Sequence, residues 1–119
     1  MRQAKERIRE QIKSDAVNKN LNTGNQNKHI IGHSSNTGTK SPIYGDLSTA
    51  QELIIQYSGT GEPILKRNDE WNNRERVTID RDIGIHINQD TGDRTTTNTF
   101  IIHYGKAGAH VVPAERQEQ

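Results

Sequence analysis

One stretch near the C-terminus, residues 95–113, constrains the fold more than any other part of the chain. It has the sequence TTTNTFIIHYGKAGAHVVP. Large side chains recur at every second position from Phe100 to Tyr104, which is the pattern of a strand with one buried face. The apolar residues resume after a turn that contains glycine. The stretch therefore predicts a β-hairpin that carries two histidines, His103 and His110.

The length of the hairpin loop decides whether the two histidines share a face of the sheet. If the loop is GKAG, residues 105–108, His103 lies opposite His110. Any loop of even length keeps both imidazoles on one face, because side chains alternate strictly across a sheet; an odd loop would separate them. The even register predicts a core face of Phe100, Ile102, Tyr104 and Val111. It also predicts a polar face, where we expect the chemistry, of Thr97, Thr99, His103 and His110.

The composition favours one small domain built around a sheet. A chain of 119 residues can bury roughly two-thirds of its unfolded surface. Fourteen isoleucines against four leucines favour strands over a helical bundle. The absence of cysteine excludes disulfides and thiolate zinc sites. We find no secretory signal and no apolar run of transmembrane length, so export of this chain would depend on something else.

The net charge of +1 hides a segregation of charge along the chain. Residues 16–45 carry three basic and no acidic side chains, and residues 94–114 carry two basic and no acidic ones, whereas residues 46–93 have a net charge of −5. Both acid-free stretches contain histidines. If they fold together, they form a basic face suited to an anion such as phosphate. The alternative is that the charge blocks are only solvated surface.

The remaining patterns predict an α+β fold in which N-terminal helices pack on a curved antiparallel sheet. Residues 47–58 have the apolar spacing of a helix, which Gly59 ends. Strands starting at Val77 and at Ile83 precede the hairpin, and together they suggest a meander. We expect residues 1–26 to be a linker or the tail of a delivery module, residues 27–114 to be the functional domain, and residues 115–119 to be a flexible tail.

Outside the hairpin, two short motifs contain candidate site residues. In KHIIG, His29 is a candidate acid or base beside Lys28. Its four-residue spacing from His33 would suit a metal on a helix, but the intervening IIG disfavours helix, and both histidines could equally be surface loop residues. In WNNRERV, Glu75 and Arg76 either line a site or are the charged start of a strand.

Four segments of the sequence resemble the polymorphic toxin type 50 domain, in the same order. They are NKHIIG (27–32), SGTGEP (58–63), WNNRERV (71–77) and TTNTFIIHYGKAGAHVVPA (96–114). One departure is Gly105, where the family's HYS pattern has Ser. The resemblance implies a ribonuclease toxin, at the C-terminus of a large secreted bacterial effector, that shares the fold of the barnase, EndoU, colicin and RelE group. Related domains also occur in phage head-morphogenesis proteins.

The implied activity is metal-independent cleavage of RNA, with tRNA as one candidate substrate, by attack of the 2′-hydroxyl to give a 2′,3′-cyclic phosphate. Imidazoles suit the acid and base roles because their pKa lies near the working pH. We expect two of His29, His103 and His110 to fill these roles, with Glu75 or Thr97 orienting a partner. Phosphate would be held by Lys28, Arg76 and Lys106, with Tyr104 as a further substrate-binding candidate. No metal or cofactor is required.

The resemblance also implies partners and a destination. A toxin requires a cognate immunity protein, which a basic site predicts to be acidic, and its delivery would end in the target-cell cytoplasm. Two alternatives remain: a non-catalytic module that binds nucleic acid or protein, as in phage head assembly, and a metal-dependent DNase. With one Trp, one Phe and three Tyr, the chain offers little surface for stacking bases, so recognition of RNA shape is expected.

Overall fold

A computed structural model describes residues 2–33, 36 and 38–117. It confirms the α+β fold predicted from the sequence: three helices accompany a curved four-stranded antiparallel sheet and a separate two-stranded one. The elements in chain order are α1 (Arg2–Lys13), α2 (Thr23–Asn27), α3 (Leu47–Tyr57), β1 (Glu62–Leu65), β2 (Trp71–Thr78), β3 (Gly84–Ile87), β4 (Arg94–Thr97), β5 (Thr99–Gly105) and β6 (Gly108–Pro113). No helix in the described part of the chain is long and apolar enough to cross a membrane.

The main sheet has the strand order β1-β2-β5-β6, and its last two strands form the predicted hairpin. Gly105 pairs with Gly108, so a two-residue turn closes the hairpin and His103 lies directly opposite His110. The loop is therefore even, as the predicted register requires. Gly108 has φ +120, and a Cβ there would lie 2.5 Å from the Asn20 carbonyl oxygen, so the hairpin needs glycine at this position.

The expected single meander is wrong in one respect, because β3 and β4 leave the main sheet and form a separate two-stranded sheet. β2 pairs with β5 directly. The β3–β4 hairpin instead forms backbone hydrogen bonds with residues 42–44, which precede α3. The Ile85 N–H donates to the Pro42 carbonyl, and the Tyr44 N–H donates to the Ile83 carbonyl. These bonds need a close approach of two backbones at Gly84, where a Cβ would lie 2.4 Å from the Pro42 oxygen.

The core lies between α3 and the inner face of the main sheet. Asp46 caps α3 through a capping box with Thr49, and the helix buries one face. Predicted core residues Phe100, Ile102 and Val111 are fully buried, and Tyr104 is 8% exposed. The buried apolar cluster comprises Ile12, Ile43, Ala50, Leu53, Ile54, Val77, Ile79, Ile83, Phe100, Ile102, Tyr104, Ala109 and Val111.

The segment interpreted as a linker, residues 1–26, packs against the same core over its described part, residues 2–26. Ile12 of α1 is fully buried, and the Arg9 guanidinium donates to the Gly61 carbonyl. Leu21 forms a bridge with Ala109 at the edge of β6. These contacts cover both edges of the main sheet: α1 lies against β1, and residues 20–22 lie against β6. They satisfy backbone groups that an open edge would expose.

The described part of the C-terminal tail also has partners. The Gln117 N–H donates to the Asn98 and Thr99 side chains, and Arg116 pairs with Asp82. Thr99, whose position in β5 places it on the outer face, is fully buried as a result. The open part of that face therefore lies toward the other end of β5, around His103.

Candidate active site

Three imidazoles form a continuous stack on the outer face of the main sheet. The ring centroids of His103 and His110 are 4.7 Å apart with an interplanar angle of 19°. The His29 ring continues the stack on His110, at 6.0 Å and 20°. The structure thus brings together the three histidines that sequence patterns singled out, and it joins the two acid-free stretches of the chain.

Each histidine of this stack comes from a different backbone element. His103 and His110 are cross-strand partners in β5 and β6. His29 follows α2, and the fully buried Gln26 side chain links α2 to β6. The Gln26 amide donates to the Val111 carbonyl at 2.9 Å and accepts from the Val111 N–H at 2.6 Å. Because Val111 adjoins His110, Gln26 fixes the distance between His29 and the hairpin.

The hydrogen bond of His29 defines its tautomer. Its Nδ1 lies 2.8 Å from the Ser41 carbonyl oxygen, and a carbonyl can only accept, so Nδ1 carries the proton. In the neutral ring the Nε2 atom then has the free lone pair. This is the arrangement that a general base requires.

Burial and neighbouring cations keep the stack neutral. Burial, followed by the Arg74 charge and then His29, lowers the pKa of His103 to about 4. Burial, followed by His103, His29 and Lys28, lowers the pKa of His110 to about 4. Burial also lowers the pKa of His29, with smaller contributions from Lys40 and Lys28, against the opposing effect of the Ser41 bond. At neutral pH the three imidazoles are therefore uncharged, and the cations that act on them are Arg74, Lys28 and Lys40.

Arg74 is a site residue that the sequence interpretation missed. It pairs with His103 across β2 and β5, whereas the predicted Arg76 pairs with Ile101, one step further along the same face. Both guanidinium groups are on the side of the sheet that carries the histidines, because residues 74, 76, 101 and 103 alternate with the inward-facing positions. Arg74 is the nearer of the two to the stack.

Lys106 lies at the hairpin turn and completes a cavity beside the stack. This cavity of about 210 Å³ is lined by Asn22, Asn25, His103, Tyr104, Gly105, Lys106, Ala107, Gly108 and His110. Its walls carry one cation, two side-chain amides and two imidazoles. An anion of phosphate size would find donors on three sides, from α2, from the turn and from the strands.

Glu75 and Tyr104 occupy the opposite side of the sheet from the histidines. The fully buried Glu75 carboxylate accepts from Gly59 N–H at 3.0 Å, from Gly61 N–H at 2.7 Å and from the Tyr104 hydroxyl at 2.7 Å. Burial and, next, the Glu75 charge raise the pKa of Tyr104. The glycine-containing loop after α3 thus binds an anion, but that anion is the protein's own carboxylate.

Thr97 lies outside the histidine stack as well. It ends β4, and its hydroxyl donates to the Ala114 carbonyl at 2.6 Å and accepts from the Thr99 N–H at 3.1 Å. These bonds hold the kink at which the chain passes from the small sheet into β5. Nine residues were predicted for the site. Five of them lie together: His29, His103, His110, Lys28 and Lys106. Arg76 lies further along the same face, whereas Glu75, Thr97 and the Tyr104 hydroxyl lie apart from the cluster.

The family model described as bacterial toxin 50 matches residues 21–113 of this sequence. The chain belongs to the bacterial toxin 50 family. No curated protein matches it. The matched region contains α2, the histidine stack, Arg74 and Lys106, whereas α1 precedes it.

Membership of this polymorphic toxin family implies that the domain is secreted and delivered to target cells, and it implies a cognate immunity protein. The toxin domain has no group of three His, Asp or Glu side chains within its described residues that could hold a metal ion. Its stacked rings present parallel faces to each other instead of converging their nitrogens on one point.

Proposed function

We propose that this toxin domain is a metal-independent endoribonuclease whose active site is the stack of His29, His110 and His103. The observation that carries the proposal is the stack itself: three neutral imidazoles side by side, with Arg74 and Lys28 close enough to lower their pKa values. Paired imidazoles beside cations suit phosphodiester transesterification, in which one proton leaves an attacking oxygen and another reaches a departing oxygen.

The base in this reaction is His29. Its Nε2 lone pair removes the proton of the RNA 2′-hydroxyl, while the Nδ1–H bond to Ser41 holds the ring and stabilises the imidazolium that forms. The 2′-oxygen then forms a bond to the adjacent phosphorus as the bond to the 5′-oxygen breaks. The products are a 2′,3′-cyclic phosphate and a 5′-hydroxyl.

The acid is the His103–His110 pair. Rings 4.7 Å apart do not both carry a positive charge readily, so the neutral pair takes up one additional proton and not two. An approaching phosphate raises the pKa of the pair because it offsets the charges of Arg74, Lys28 and Lys106. The protonated ring then donates to the leaving 5′-oxygen, and the cations stabilise the charge that develops on the phosphoryl oxygens.

The test is incubation of purified toxin domain with total RNA in EDTA, followed by analysis of the product ends. We expect discrete cleavage with 2′,3′-cyclic phosphate ends, and a loss of about 10²-fold or more in His29→Ala, His103→Ala and His110→Ala. His86→Ala is the matched control, because His86 lies in β3 and outside the stack. Thermal melts of each variant establish that it is folded.

Intact RNA across pH and salt, from folded protein free of inhibitor, would overturn the ribonuclease and favour the non-catalytic interaction module. Cleavage that survives all three histidine substitutions would place the active site elsewhere. Cleavage that EDTA abolishes would favour the metal-dependent alternative.

The basic face also bears on the immunity protein. We propose that the inhibitor is acidic and covers Arg74, Lys28 and Lys106, so that association is fast and slows as salt is added. The target RNA and the inhibitor would then meet the toxin domain on one surface, in the cytoplasm. Stopped-flow association rates at increasing salt test this, and a rate independent of salt would contradict it.

A further inference from the structure

A second cavity lies on the other side of the hairpin turn from the histidine stack, on the sheet face that carries Tyr104. It has a volume of about 490 Å³ and is lined by Gln11, Ala16, Val17, Asn18, Trp71, Asn73, Tyr104, Gly105 and Lys106. It shares Tyr104, Gly105 and Lys106 with the smaller cavity that contains His103 and His110. A ligand that places an anionic group at Lys106 could therefore extend into both cavities.

The larger cavity contains the only tryptophan of the sequence, held in a defined orientation. The Trp71 indole N–H donates to the Arg74 carbonyl at 2.9 Å, and the ring packs on Tyr104 with centroids 5.6 Å apart. The side chain is only half-buried. Because its polar atom is already bonded, the part of the ring that lines the cavity offers an aromatic surface.

The backbone beside Trp71 is strained in a way that supports a site. The pairing of β1 with β2 skips two residues between Trp71 and Arg74, and within this bulge Asn73 has φ +60. Such left-handed conformations in residues other than glycine persist where the surrounding structure enforces them, and they concentrate at ligand sites. Here Asn73 lines the cavity, while Arg74 lies opposite His103.

The polar groups of this cavity are mainly amides, which suit a nucleobase. Gln11, Asn18 and Asn73 each carry a donor and an acceptor, although the Asn18 amide is engaged, donating to the Lys106 carbonyl and accepting from the Asn20 N–H. Lys106 is the only charged side chain among the lining residues. Aromatic stacking together with amide hydrogen bonds is how proteins bind unpaired bases.

We propose that the Trp71 cavity binds the base of a nucleotide adjoining the phosphodiester at the histidine stack, and so sets the sequence preference of cleavage. This inference rests on the proposed ribonuclease function for the placement of the phosphate. It assigns a specificity role to Gln11 of α1, which lies outside the family match at residues 21–113. The single tryptophan thus stacks a base beside the active site, contrary to the expectation from aromatic content alone.

The experiment uses Trp71 fluorescence as the direct signal of occupancy, with four-nucleotide 2′-O-methyl oligoribonucleotides of A, C, G or U as probes. These probes cannot be cleaved, because the attacking hydroxyl is blocked. An abasic tetranucleotide with the same number of phosphates is the control. We expect saturable quenching by at least one base, and affinity about tenfold or more above that of the abasic chain.

Variants connect the signal to this cavity. Binding by fluorescence anisotropy of labelled probes should weaken in Trp71→Ala, be largely restored in Trp71→Phe, and lose its preference among bases in Gln11→Ala and Asn73→Gly. Gln3→Ala is the matched control, an exposed glutamine on the same helix that does not line the cavity. If Trp71→Ala fails to fold, the two amide variants still test the proposal.

Two outcomes separate this inference from the proposed function. Base-dependent quenching without any RNA cleavage would retain the base site and overturn the ribonuclease. RNA cleavage combined with equal affinity for abasic and base-bearing probes, or with unchanged Trp71 fluorescence at saturation, would retain the ribonuclease and overturn the base site.

Discussion

His103 and His110 face each other across β5 and β6, with ring centroids 4.7 Å apart and no carboxylate among the groups that shift their pKa values. Their pKa values in the folded protein, about 4, lie below the ordinary 6.5. Between about pH 4 and pH 6.5, these two histidines bind more protons in the unfolded chain than in the folded one. Stability from this source is therefore complete above pH 6.5 and is lost as pH falls toward 4.

We expect the melting temperature to fall over this pH range more steeply for the wild type than for a His103→Asn/His110→Asn double variant. Carboxylates that titrate over the same range are common to both proteins and cancel in the comparison. Thermal melts from pH 7 to pH 4 measure it. Parallel pH profiles for the two proteins would contradict neutral burial of the histidine pair.

The same pKa values predict an acidic optimum for RNA cleavage. The profile of kcat/KM reports the free protein, in which the acid is protonated only as pH falls toward about 4, so the maximum of this profile should lie below pH 6.5. The profile of kcat reports the complex, where bound phosphate raises the pKa of the acid. We expect kcat to peak at a higher pH than kcat/KM, and coincident peaks would contradict this role of the cations.

Arg74→Ala should reduce cleavage by about 10²-fold, since it removes the cation closest to His103 in the sheet. It should also raise the pKa of His103, because the Arg74 charge is second only to burial in lowering it. NMR titration of the His103 ring in both proteins separates this electrostatic effect from misfolding. Arg67→Ala, at an exposed turn position, removes the same charge and should leave both quantities unchanged.

Gln26→Met should separate His29 from the His103–His110 pair. The buried Gln26 amide makes both of its hydrogen bonds to Val111, and the substitution leaves those backbone groups unpaired at a cost of about 3 kcal/mol in unfolding free energy. Cleavage per folded molecule should fall as well, because His29 loses its fixed distance from His110. Denaturant unfolding and single-turnover rates measure the two effects, and an active but destabilised variant would show that other contacts position His29.

The sequence predicts the hairpin, except for the length of its loop, because the information there is local. Alternation from Phe100 to Tyr104 assigns the faces, and a loop of even length places His103 opposite His110; the pairing of Gly105 with Gly108 supplies that even length. The position of His29 needs the Gln26 bond to a strand 85 residues away, and no periodicity reports such a contact. Only the acid-free charge pattern indicated that the two stretches belong together.

Choosing between Arg74 and Arg76 required information that the sequence lacks. Alternation from Val77 puts both arginines on one face, but the register of β2 against β5 decides which of them meets His103. The β3–β4 hairpin is inserted in the chain between these two strands, so no local turn fixes their pairing. The same alternation places Glu75 on the inner face, together with Val77. An inner-face position is inconsistent with a catalytic role for Glu75 beside the histidines.

Glu75→Gln tests whether that carboxylate is structural. Its oxygens accept from Gly59 N–H, Gly61 N–H and the Tyr104 hydroxyl, and an amide would turn one acceptor into a donor that faces other donors. We expect a loss of about 2 kcal/mol in unfolding free energy, with the cleavage rate per folded molecule nearly unchanged well below the melting temperature. A general base or an orienting carboxylate would behave in the opposite way, with normal stability and a rate reduced by about 10²-fold or more. Because Gln has the same shape as Glu, the loss of stability compared with the loss of cleavage rate decides between a structural and a catalytic role for Glu75.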